Sequence, residues 1–291
     1  IAAQVHEALR DEGKPVVTMD HVRRTAEAIL ENEVAERYVD IYRKWQSLDK
    51  LNKPIIIMIG GATGVGKSTV STMLAARLGI TRQVSTDVIR EVMRSLFAPE
   101  LVPALFKSSF KASEALRIPV PKTTDKVILG FLEQAAMVWV GIRALVERAI
   151  IERTNFIVEG AHVVPGVVDP QFFKDAIVIQ MVLAVEDARQ HRSHFELREL
   201  ETEGARPFEK YIDNFENIRK IQKYVLELAE EQKVPVFPCY SIDATLGAVL
   251  EYIINQVFFE YTEGQVKGDS VKKALEVAVQ REIENLVFPM E

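Results

Sequence analysis

The sequence predicts an α/β fold: a parallel five-stranded sheet flanked by helices, with a helical N-terminal extension ahead of it. Three observations predict it. Short apolar runs of strand length recur along the chain, each followed by a helical stretch, which is the pattern of a buried parallel sheet. The first run, Ile55 to Ile59, leads directly into Gly61-Ala62-Thr63-Gly64-Val65-Gly66-Lys67-Ser68, and Thr69 to Leu78 then carries apolar residues at helical spacing. Strand, glycine-rich loop and helix in that order is the context that gives a G-x-x-x-x-G-K-S motif its meaning. Two later runs end at an acid, Asp87 and Glu159, where an open parallel sheet binds its ligands.

Residues 1 to about 46 read as helices. Val5, Ala8 and Leu9 form one apolar face, Val22, Ala26, Ile29 and Leu30 a second, and Tyr38, Ile41 and Tyr42 a third. Thr18 and Asp20 are cap-like residues ahead of the second helix. Asn52-Lys53-Pro54 breaks the pattern, so the domains are expected at 1–50 (helical segment), 51–262 (phosphate-loop domain) and 263–291 (charged helical tail).

In the loop after the first strand, glycines let successive N–H groups turn inward around phosphate oxygens. Lys67, expected in a solvated site, reaches the outer phosphates as a point charge. The Ser68 hydroxyl is a ligand for Mg2+, and the helix that starts there adds partial positive charge. The nucleotide site is therefore expected at Gly61, Ala62, Thr63, Gly64, Val65, Gly66, Lys67, Ser68 and Thr69.

Val84 to Thr86 reads as the second strand, with Asp87 at its carboxyl end opening a helix. Arg90 and Arg94 share a face of that helix with Asp87. Residues 99 to 124 read as irregular, carrying four prolines and Lys107, Lys111, Arg117 and Lys122. A helix of about Thr124 to Arg153, apolar nearly all round, reads as core, with Trp139 as a packing residue. Asn155 to Glu159 is the third strand, and its closing carboxylate is a candidate for the Mg2+ shell. Gly160 is expected to let backbone approach a ligand, and His162 either touches substrate or is satisfied locally.

Ala176 to Leu183 is the fourth strand. The stretch after it, Glu186 to Glu203, is dense in cations: Arg189, His191, Arg192, His194 and Arg198, with Arg206 beyond Gly204. It reads either as a mobile lid closing over a triphosphate, with Arg192 and Arg198 on the transferred group, or as a solvated face paired with Glu196, Glu199 and Glu201. Phe208 to Glu231 reads as one long helix, Val234 to Pro238 as the last strand, and Ser241 to Thr245 as the cap of the final helix.

Composition narrows the function. The 291 residues carry a net charge of −6, and there is no continuous basic stripe with interleaved aromatics, which argues against a nucleic-acid partner. Cys239 is the sole cysteine, so no intrachain disulfide forms, and a reducing, cytoplasmic setting is expected. The longest clean apolar run, Ala176 to Val185, is too short to span a bilayer, so no membrane partner is expected. No signal peptide is read. The start at Ile1 rather than Met is read as the start of a fragment.

This order of elements resembles the small-molecule phosphate-loop kinases related to adenylate and shikimate kinase. More closely, residues 55 to 255 resemble the 2-phosphoglycerate kinase family. The residues that carry this are Gly60 to Ser68, Ser85-Thr86-Asp87-Val88-Ile89-Arg90, Val158-Glu159-Gly160-Ala161-His162-Val163-Val164-Pro165-Gly166 and Tyr211 to Tyr224. Residues 1–46 resemble the C-terminal half of an ATP-cone, with a plain helical extension as the other reading.

The family resemblance implies ATP and Mg2+ as cofactors and phosphoryl transfer to the hydroxyl of a small anionic acceptor, 2-phosphoglycerate, giving 2,3-bisphosphoglycerate. It implies Lys67, Asp87, Arg192 and Arg198 as catalytic residues, Asp87, Arg90, Arg94, Lys107, Gly160 and His162 around the acceptor, Arg189, Asp243 and Ala244 with the phosphate loop around the nucleotide, and Ser68 and Glu159 at the metal. A kinase of another phosphorylated polyol, a nucleic-acid end kinase and a non-catalytic nucleotide switch are the rival readings.

Overall fold

The computed structural model describes residues 1–14, 16–33, 36–46, 53–117, 119–167 and 173–263; the charged tail expected beyond 263 lies outside them. Among the described residues the chain divides into two compact units, one of residues 1–46 with 251–263 and the other of residues 53–250.

In the first unit, α1 (Ala2–Asp11), α2 (Met19–Glu33) and α3 (Glu36–Trp45) follow the three apolar faces of the sequence. Thr18 caps α2 by accepting from the N–H of His21 at 3.3 Å. Arg43 on α3 bridges Glu27 and Glu31 of α2. Lys44 donates to Asn255 Oδ1 at 3.0 Å and lies over the ring of Phe258, tying α3 to the end of the last helix.

The second unit is built on β1 (Ile55–Gly60), α4 (Lys67–Leu78), β2 (Gln83–Ser85), α5 (Thr86–Leu96), α6 (Lys126–Ile151), β3 (Phe156–Glu159), β4 (Ile177–Ala184), α7 (Ala188–Glu201), α8 (Phe208–Ile212), α9 (Phe215–Glu231), β5 (Val236–Pro238) and α10 (Ile242–Glu263), which runs on into the first unit. The five strands are parallel in the order β2-β3-β1-β4-β5. Central β1 is buried on both faces, Ile56 to Ile59 without accessible surface, which is why it reads as an unbroken apolar run. The register sets Glu159 beside Ile59 on one side and Ser85 on the other. The carboxyl ends of β1, β2 and β3 therefore finish together.

Three sequence expectations are corrected. Phe208 to Glu231 is not one helix: α8 and α9 are separated at Asp213–Asn214. The irregular stretch contains two 3₁₀ segments, Pro103–Phe106 and Ser109–Ala115, packed on α6. And α6 is core on one side only. Phe131, Ala135, Val138, Ile142 and Val146 are buried, but Val140 and Ile151 are exposed. By length and composition alone α6 and Ile242–Glu260 would be long and apolar enough to cross a membrane, a test that the core helix of a soluble protein also passes. Trp139 packs as expected, edge-on to Phe173.

Candidate active site

The loop from Gly61 to Gly66 joins β1 to α4, and its glycines answer to specific neighbours. Gly61, at φ +132°, leaves no room for a Cβ, which would lie 2.3 Å from the carbonyl oxygen of Leu183. Gly66 adopts φ +88° against Cys239 and Ile242, so the β5–α10 loop abuts the phosphate loop there. This brings Asp243 and Ala244, both exposed at the start of α10, to its side. Thr69 is exposed on the first turn of α4.

Lys67 is not solvated, against expectation. It is 8% exposed, and its Nζ donates to the carbonyl of Ala62 at 2.6 Å. Burial pushes its ammonium pKa down, opposed by the charges of Glu159 and Asp87. Ser68 donates its hydroxyl to Glu159 Oε1 at 2.9 Å. Burial pushes the Glu159 carboxyl up, while Lys67, the Ser68 hydrogen bond and Arg206 favour its ionised form. A hydroxyl and a carboxylate are the hard oxygen donors that magnesium takes. No cluster of three or more protein His, Cys, Asp or Glu ligands exists among the described residues. Together these suit an ion bound mostly through water and substrate phosphates, as Mg2+ is in kinases.

Asp87 sits in the first turn of α5, after Ser85 has capped the helix by accepting from the N–H of Val88. Its side chain is 76% exposed, and its charge is felt by Lys67, Glu159, His162 and Tyr211. It is the exposed acid at the centre of the group.

The other charged residues expected around the acceptor also have partners within the protein. Arg90 Nη1 donates to the carbonyls of Leu105 (2.8 Å) and Lys107 (3.3 Å), while its Nε lies 3.5 Å from Asp87. It thus ties the 3₁₀ segment to α5. Arg94 pairs with Glu91 and lies over Phe106. Lys107 pairs with Glu114 at 2.7 Å.

Gly160 is glycine for a neighbour and not for a ligand: a Cβ would lie 1.8 Å from Thr86 Oγ1. His162 is 1% exposed. Its Nε2 bonds Gln134 Oε1 at 2.9 Å and its Nδ1 bonds Thr86 Oγ1 at 2.8 Å, so both nitrogens are used. Since Gln134 Nε2 donates to the carbonyls of Ala104 and Lys107, its oxygen accepts from His162 Nε2–H, and Thr86 donates to Nδ1. Burial lowers the His162 pKa to about 4. The local-satisfaction reading of His162 fits, and a direct substrate contact does not.

The expected lid divides in two. α7 is packed onto the phosphate loop: His191 and Phe195 are buried, and a Cβ on Gly64 would strike the Phe195 ring at 2.4 Å. Arg192 lies over Phe215 and Arg198 over Tyr211, and Arg189, exposed, faces Asp187 at the helix start. None of the three is among the charges that act on Glu159; Arg206, beyond the helix, is. Sequence reasoning noted Arg206 but ranked it behind Arg192 and Arg198. It named Thr86 only as a strand end and a motif member, without its bond to His162, and it missed Gln134 and Arg219 altogether. The three-residue spacing of His191 and His194, which puts both on one helix face, was the available signal for their contact with the loop.

No family model matches the chain. Curated proteins do. A 2-phosphoglycerate kinase of Methanopyrus kandleri is 39% identical over 257 residues, covering 88% of this chain and 78% of that protein. One from Thermococcus kodakarensis is 39% identical over 261 residues, 88% of this chain and 86% of its own. A third, from Pyrococcus horikoshii, is 37% identical over 262 residues, 88% and 83%. With identity at this level over most of both sequences, the chain belongs to the 2-phosphoglycerate kinase family.

Proposed function

We propose that the protein is a cytoplasmic, ATP-dependent kinase that transfers the terminal phosphoryl group to the free hydroxyl of 2-phosphoglycerate, giving 2,3-bisphosphoglycerate and ADP. The observation that carries this reading is the gathering of a buried Lys67, the Ser68–Glu159 pair and an exposed Asp87 at the shared ends of β1, β2 and β3. Phosphoryl transfer asks a protein for positioning and charge stabilisation above all. Lys67 leaves Ala62 to meet the outer phosphates, Ser68 and Glu159 hold Mg2+, and Asp87 orients the acceptor hydroxyl and takes its proton. Magnesium held by Ser68 and Glu159 would supply charge neutralisation for the transfer. An acceptor that is already phosphorylated adds anionic charge beside ATP, and Arg206, Arg94 and Lys107 are the cations that offset it.

The test is steady-state ADP release with ATP and magnesium, with and without 2-phosphoglycerate. Stimulation by the acid supports the kinase. ATP binding with no acceptor-dependent turnover supports the nucleotide switch instead.

A further inference from the structure

α7 meets the phosphate loop through two imidazoles. His191 Nε2 donates to the carbonyl of Thr63 at 2.8 Å, and His194 Nδ1 donates to the carbonyl of Gly64 at 2.9 Å. A carbonyl only accepts, so each of these nitrogens carries the proton. For His191 a second contact agrees. Its Nδ1 faces Arg219 Nη1 at 3.4 Å, and a guanidinium only donates. Arg219 is itself anchored on the carbonyls of Val185 and Glu186. His191 has no accessible surface and is held between Phe195 and Phe215. The imidazole therefore has one tautomer and one orientation.

The two accepting carbonyls belong to consecutive peptide groups, and in a planar trans peptide the C=O and the N–H point in opposite directions. Turning the Thr63 carbonyl toward His191 turns the N–H of Gly64 away from α7. Turning the Gly64 carbonyl toward His194 does the same for the N–H of Val65. Inward-facing N–H groups of this loop are what a phosphate-binding cradle presents. The need for a clamp follows from the sequence: Gly64 and Gly66, both at φ +88°, give the loop soft peptide planes that rotate at little cost.

We propose that His191 and His194 are positioning residues of the phosphate loop, holding two successive peptide planes in the orientation that receives nucleoside triphosphate phosphates before the nucleotide arrives. A corollary is that α7 belongs to the fixed nucleotide side, and that any closing segment starts after it, at Thr202. The proposal rests on reading the loop as the ATP site, but not on the identity of the acceptor.

The test compares His191→Leu and His194→Leu, which remove the donors, with His191→Gln and His194→Asn, whose amides place an N–H near the lost one. ATP affinity is titrated with magnesium and without acceptor; the acceptor KM is measured at saturating ATP, and Tm in the absence of ligand. Each Leu variant should bind ATP about tenfold more weakly, the cost of leaving a partly buried loop carbonyl without its donor and its peptide plane free to turn, with the acceptor KM unchanged. The amide variants should recover most of the loss at equal Tm. Half-buried His194 carries the test if His191→Leu does not fold. Wild-type ATP affinity in His194→Leu overturns the proposal, as does an acceptor KM that rises in step with ATP, or an Asn variant no better than Leu. Tight ATP binding by the wild type without turnover on 2-phosphoglycerate would overturn the kinase reading and leave this one standing.

Discussion

The hydroxyl of Ser68 donates to Oε1 of Glu159 across 2.9 Å, joining the first turn of α4 to the end of β3. Two residues ninety-one positions apart meet because β1 and β3 are parallel neighbours with Ile59 opposite Glu159. Glu159 is 4% exposed, and burial already disfavours its charge. Glu159→Gln keeps the shape and removes a desolvated charge. It should lower kcat by about 10²-fold or more, the scale of losing a transition-state electrostatic contact, while Tm holds or rises. An ordinary kcat in Glu159→Gln would separate this pair from the chemistry.

Asp87 and Arg90 should fail differently. Asp87→Asn removes the proton acceptor from an exposed position, so kcat should fall by about 10²-fold or more with ATP affinity and Tm kept. Arg90→Ala frees the carbonyls of Leu105 and Lys107, so it should raise the acceptor KM and also lower Tm. Arg90→Lys should restore little, because one ammonium does not reproduce the guanidinium fork. Equal losses of ATP and acceptor binding in Arg90→Ala would show that the 3₁₀ segment does not border the acceptor.

Among the cations, Arg206 should matter most to turnover. Its charge reaches Glu159, whereas Arg192 and Arg198 lie over aromatic rings. Arg206→Ala should cut kcat by about tenfold or more, and Arg192→Ala and Arg198→Ala by less. A glutamate-specific protease cutting after Glu203 should act more slowly when ATP and acceptor are both bound. A larger kcat loss at Arg192 than at Arg206 would restore α7 as the catalytic lid.

Acid should destabilise the fold through two histidines. Burial lowers His162 and His191 to about 4, from an ordinary value of 6.5. Between those values the unfolded chain binds more protons than the native one, so stability rises with pH there. The contribution is fully present above about pH 6.5 and is lost as pH falls toward 4, with a slope of up to about 1.4 kcal/mol per pH unit for each histidine. His191→Gln, which keeps a donor and cannot titrate, should flatten the fall of Tm with pH over that window. An unchanged slope would show that His191 does not titrate as described.

The strand–loop–helix core was legible because each of its signals is local. Ile55 to Ser68 carries its own strand, turn and cap chemistry, and Glu159 ends an apolar run. What stayed hidden depends on distant partners. His162 reads as a loop histidine until Gln134, twenty-eight residues upstream, is seen against it. Gly160 reads as a ligand approach until Thr86 fills the space. The α8–α9 break at Asp213–Asn214 carries no proline or glycine, so periodicity ran through it. Lys67 was expected in solvent, because a motif says what a side chain does for its ligand and not where it rests without one.

The central claim is transfer of the terminal phosphoryl group of ATP to the hydroxyl of 2-phosphoglycerate, and its most direct measurement is phosphorus NMR of the products after incubation with ATP, magnesium and one acceptor at a time. The account predicts 2,3-bisphosphoglycerate and an equal amount of ADP from 2-phosphoglycerate, with no such product from the Asp87→Asn variant. ADP and inorganic phosphate alone, or a phosphorylated product formed only from a different acceptor, would contradict it.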